Sequence, residues 1–84
     1  MTAKTRAAII DKATEAANTC YIIIRQFERG RISLREMHEA LMREAARHKY
    51  SPAYVEAAAE AISARSAIEY KATMAAAIQR AAEA

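Results

Sequence analysis

The sequence predicts a single all-α domain of three helices in long–short–long order, over about 3–29, 34–48 and 52–83. Three observations carry that expectation. The hydrophobic fraction is 54%, and much of it is alanine, the best helix former. One Gly and one Pro in 84 residues leave few breakers. Two N-terminal capping signatures, at Ser33 and at Ser51-Pro52, mark where helices begin.

In the first helix, Ile10, Ala17 and Ile24 recur every seven residues, and Ala13, Cys20 and Phe27 repeat them at an offset. Together they form the lengthwise seam of a helix that packs along its whole length. Gly30 stands where a C′ glycine ends a helix in the left-handed region. Arg25 and Arg29 occupy the last turns, where the helix dipole favours cations.

The second helix opens with an S-x-x-E capping box, Ser33 and Glu36, with Ile32 and Met37 at the staple positions. Leu34, Met37, Leu41, Ala45 and His48 mark its apolar face. Arg35, Glu39 and Arg43 follow at i,i+4 on another.

Ser51 and Pro52 suit the N-cap and N1 of a third helix, with Tyr50 and Val55 at staple positions. No Gly or Pro follows, so one helix is expected to run to about Glu83. Val55 and Ile62 share a direction, but Met74 and Ile78 are rotated away from them, so its two halves face different neighbours. The alanine runs 57–59 and 75–77 act either as helical filler or as surfaces for close helix approach.

Helix lengths then imply self-association. The second helix covers only part of the others at ~1.5 Å per residue. The end of the third, with Tyr70, Met74 and Ile78, is left as an amphipathic overhang. Such an overhang is marginal alone, and a homodimer covers it. The alternative is a kink or fraying near Ser63–Ser66. A domain spanning 1–84 has a thin core in any case, since chains this small bury only about 60% of their unfolded surface.

No pattern points to catalysis, a metal or a cofactor. His38-Glu39 does not continue as H-E-x-x-H. His48 suits a helix-end group, and Cys20 sits in the apolar seam with no base nearby in sequence. The lone cysteine fits a reducing cytoplasm. No apolar run approaches the ~20 residues of a membrane helix, and the N-terminal residues have no signal-peptide pattern.

The long–short–long order is similar to the small helical chorismate mutases, intertwined dimers whose site gathers cationic side chains around a dicarboxylate. Arg6, Arg25, Arg29 and Lys49 are the cations available, and their local contexts depart from that family's pattern. Residues 27–37, FERGRISLREM, resemble the turn of helical-hairpin modules of the SHOCT type.

What remains is a surface. Ile22 lies opposite the seam of the first helix, with Arg25 and Arg29 beside it and Arg31 and Arg35 across the turn. An apolar residue ringed by arginines suits an interface anchor, or else is a covered residue beside a solvated face. The chain is expected to be a non-enzymatic interaction module that binds and modulates another protein, inhibition being one such mode. It is similar in style to phage and mobile-element accessory proteins such as anti-CRISPR and host-takeover inhibitors. The second expectation is a small nucleic-acid-binding regulator, suggested by a net charge of +3, a pI near 9.3 and the group Arg43, Arg47, His48 and Lys49. Glu28, Glu36, Glu39 and Glu44 interrupt that basic surface.

Overall fold

The structure, a computed structural model, describes residues 2–83; Met1 and Ala84, the ends of the expected 1–84 domain, lie outside the described residues. It contains four helices rather than three: α1 (Ala3–Glu28), α2 (Leu34–Arg47), α3 (Pro52–Ala61) and α4 (Ala67–Glu83). No strand is present among the described residues.

The expected ends of the first two helices hold to within a residue, and their caps explain why. Gly30 takes φ 73°. Arg31 N–H donates to the Gln26 carbonyl and Gly30 N–H to that of Phe27, both at 2.9 Å. These paired bonds form a Schellman motif that satisfies the orphan carbonyls of α1. Ser33 Oγ accepts from Glu36 N–H at 3.1 Å, and Ser33 N–H donates to Glu36 Oε1 at 2.9 Å. The capping box of α2 is therefore complete. Ser51 Oγ likewise accepts from Tyr54 N–H at 3.3 Å, with Pro52 in the first turn of α3.

The unbroken third helix is corrected by the turn at 62–66, between α3 and α4. Side chains replace the helical bonds lost there. Ser66 Oγ accepts from Glu69 N–H at 3.1 Å, and Arg65 N–H donates to Glu69 Oε2 at 3.3 Å. Glu28, from the end of α1, accepts from Ala67 N–H at 3.1 Å. Two of the four orphan donors at the start of α4 thus find carboxylate or hydroxyl partners. One of those partners is remote in sequence, so the break is fixed by tertiary contact as well as local chemistry.

The break returns α4 along α1. Glu28 meets the start of α4, and Lys71 Nζ stands 4.9 Å from the centre of the Tyr21 ring, a spacing that makes the two helices antiparallel. α4 packs closely on both α3 and α1, whereas α2 makes substantial helix contact with α1 alone. Arg80 pairs with Glu60 and ties α4 to α3 at the surface.

The core is mostly alanine: Ala13, Ala16 and Ala17 from α1, Ala53, Ala57 and Ala61 from α3, and Ala77 from α4. Such short side chains let helix backbones approach closely but bury little area each. The largest fully buried side chains are Met74, Ile78 and Cys20. Met74 and Ile78 are therefore core residues of the single chain, and Tyr70 is half-buried against that core. Their assignment to a self-association overhang is corrected: once α4 folds back on α1 no overhang exists. The alanine runs divide between both readings. Ala57 and Ala77 are buried at close approaches, while Ala59, Ala75 and Ala76 face outward.

On α2, Met37, Leu41 and His48 are half-buried as expected, but Leu34 and Ala45 are exposed and Glu44 is buried instead.

Ala57 has no accessible surface, so a larger side chain there must separate helices. Ala57→Leu is expected to destabilise the fold by about 1–3 kcal/mol, the usual cost of overpacking, whereas Ala59→Leu stays within about 0.5 kcal/mol as an exposed substitution. Urea unfolding followed by circular dichroism checks both.

Candidate functional site

Two depressions flank the C-terminal half of α1, on opposite sides of the helix. The smaller, about 210 Å³, is lined by Tyr21, Ile22, Arg25, Gln26, Arg29 and Arg31. Four of the five residues expected at a partner site are thus brought together, with Ile22 still 55% exposed. Two causes combine. The helical period places Ile22, Arg25 and Arg29 on one face, and the Schellman turn at Gly30 folds Arg31 back onto it.

Arg35 is not in that depression; it lies on α2, its Nε 3.4 Å from Glu39 Oε1. Arg25 pairs with Glu28 at 3.1 Å. Among the described residues, neither Arg29 nor Arg31 has a carboxylate within ion-pair distance. The unneutralised charge of the face is therefore concentrated on two residues beside an exposed isoleucine.

The larger depression was not foreseen. It is an open apolar cleft of about 640 Å³ on the other side of α1. Met37, Leu41 and Met42 of α2 form one wall, and Ile24 and Phe27 of α1 close one side. Tyr54, Ala58 and Ala61 of α3 and Tyr70 of α4 also line it. Ile62 and Arg65, from the turn before α4, line it as well. Met42 is 72% exposed and Ile62 85% exposed. The cleft exists because α2 leans on α1 without reaching α3 or α4 in any extended contact. Sequence carried one hint of it: Leu41-Met42 makes the apolar face of α2 wider than a single packed line requires.

A polar cluster lies behind the cleft. Cys20 Sγ is 3.6 Å from Tyr54 Oη, and His48 Nε2 is 3.3 Å from the buried Glu44. The His48 and Tyr54 rings are 5.2 Å apart. Burial raises the Cys20 thiol above its ordinary pKa, against the opposing effect of its Tyr54 hydrogen bond. Burial also raises Tyr54, and pushes Tyr70 up to about 12. A fully buried thiol with a raised pKa is a poor nucleophile. No grouping of His, Cys, Asp or Glu suited to a metal occurs among the described residues, and no helix there is long and apolar enough to cross a membrane.

Together these features define the chain as a small alanine-packed helical bundle with two open faces. No protein-family model, curated protein sequence or solved structure matches it.

Glu28 connects the two faces. Its carboxylate accepts from Ala67 N–H and from Arg25, and those bonds, the Ala67 bond foremost, hold its pKa below the ordinary 4.5. A lowered folded-state pKa contributes stability above the unfolded value and loses it as pH falls through the folded one. Stability is expected to decline below the ordinary carboxylate range, and Glu28→Gln is expected to be less stable at neutral pH with a shallower acid decline. Urea midpoints at neutral and acid pH measure both. In the native state Cys20 is expected to resist alkylation at mildly alkaline pH and to react on unfolding, which mass spectrometry reads directly.

Proposed function

We propose that the chain is a small non-enzymatic interaction module, active as a homodimer, that binds an acidic surface of another protein through the Ile22–Arg31 face. One observation carries the partner reading: an exposed isoleucine in a depression rimmed by arginines, two of them free of carboxylates among the described residues. Arginine supplies planar, directional donors to carboxylates. A central apolar anchor surrounded by such donors has the composition of an interface hot spot. Binding and modulating a partner, including inhibition by occupying its acidic site, requires no reactive group on this chain.

The same arginines also suit phosphates, so the second reading, a nucleic-acid binder, is supported by Arg29 and Arg31 in particular. It differs in two ways. Phosphate binding would be steeply salt-dependent, and it would draw little on Ile22.

Affinity capture with the wild-type chain, the double variant Arg29→Glu/Arg31→Glu and Ile22→Ala separates these readings. A protein partner at this face is expected to be lost with the double variant and weakened about tenfold or more by Ile22→Ala, the loss typical of a central anchor. Arg35→Glu, outside the depression, leaves capture unchanged. Retention of the partner by both face variants overturns the reading. Fluorescence anisotropy with duplex and single-stranded DNA and with RNA, at two salt concentrations, is expected to show no tight binding; salt-sensitive binding abolished by the double variant favours nucleic acid.

A further inference from the structure

We infer that a second copy of this chain occupies the α2–α3 cleft, and that the contact is isologous, with Ile62 of each copy entering the cleft of the other. The inference rests on the homodimer reading above and assigns its surface.

Area supplies the first argument. The chain exposes 5809 Å². Surface–mass scaling gives roughly 5000 Å² for a compact folded monomer of this mass. The surplus, on the order of 800 Å², matches one partner's share of a standard interface. At the cleft the exposed surface is apolar, for Met42 and Ile62 both line it.

Shape supplies the second argument. A two-fold contact uses the same patch on both subunits, so that patch must carry both a projection and a recess that receives it. The cleft meets this requirement. Ile62 stands at its lip, 85% exposed, beside an apolar recess of about 640 Å³. Met37 and Met42 form its pliable wall, and methionine adapts readily to an incoming side chain.

Charge supplies the third. Among the lining residues the one carboxylate is Glu28, and both its oxygens are already engaged, one by Arg25 and one by Ala67 N–H. Closure of the cleft therefore strands no unpaired carboxylate, the usual penalty for burying such a face. Arg65 and His38 line it as exposed residues, able to keep their polar ends in solvent at the rim. The Ile22–Arg31 depression, on the opposite side of α1, stays open in such a dimer.

Sedimentation velocity on the full chain, across low to high micromolar concentration, tests the inference with Ile62→Glu, Met42→Glu and the control Ile68→Glu. Ile68 is 69% exposed but does not line the cleft. The wild type is expected at twice the 9.3 kDa chain mass. Ile62→Glu and Met42→Glu are each expected to weaken the dimer about tenfold or more, while Ile68→Glu leaves it unchanged. Circular dichroism checks that each variant is folded. Hydrogen exchange on the wild type supplies a measurement free of substitutions: protection of α2 rises with protein concentration, and protection of the first two turns of α1 does not. A wild type that stays monomeric overturns the homodimer reading and this surface together. A dimer that survives both cleft substitutions, or α2 protection that ignores concentration, overturns the surface alone. Loss of the dimer in Ile68→Glu as well overturns the assignment to the cleft.

Discussion

Close packing of alanine against alanine is the constraint from which the other features of this molecule follow. Ala13, Ala16 and Ala17 on α1 meet a core shared with Ala53, Ala57 and Ala61 on α3 and Ala77 on α4. Each contributes little area, so the three helices cohere through close approach and many small contacts rather than a few large side chains. Helices packed this tightly admit few large residues to the interior, chiefly Met74, Ile78 and Tyr54. Other large apolar side chains, among them Ile22, Met42 and Ile62, stand at the margins, where they help build the two faces. The same economy explains why α2, with larger apolar residues at Met37 and Leu41, cannot join the alanine core. It rests on α1 from outside and leaves a cleft behind it.

Legibility in the sequence followed the range of the interactions involved. Helix ends set by contacts three to five residues apart are readable: the Schellman turn at Gly30, the Ser33–Glu36 box and the Ser51-Pro52 start. The Ile22 face was readable for the same reason, since one helical period and one adjacent turn place Ile22, Arg25, Arg29 and Arg31 together. Arg35 was assigned to that face only because it is near in sequence; the turn sends it onto α2. The break at 62–66 falls at the kink near Ser63–Ser66 that the sequence offers as an alternative to a dimer; its local mark is Ser66-Ala67-Ile68-Glu69, another S-x-x-E, with no Gly or Pro beside it. Its decisive partner, Glu28, comes from 39 residues away, which no local pattern records.

The misplacement of Tyr70, Met74 and Ile78 has the same origin. Treated as one rod, the chain after Pro52 outruns its neighbours and needs external cover. Folded at Ser66, it supplies that cover itself, and the side chains meant for an interface become the core. The apolar surface left for a partner then moves to α2 and the turn before α4. It is a property of how three elements meet, with no periodic signature in any one of them.

Glu28 lies between the two faces. It lies on α1 between Arg25 of the basic depression and the apolar cleft, and its two oxygens bind one group on each side: the Arg25 guanidinium and the first N–H of α4. An acidic partner that drew Arg25 away would remove one of the two donors holding that carboxylate. The Ala67 bond, which alone joins this carboxylate to the start of α4, would remain, at the edge of the cleft. Occupancy of the arginine face and the geometry of the cleft thus share one side chain. Two surfaces on opposite sides of a helix thus meet at a carboxylate that lines one and pairs with an arginine of the other.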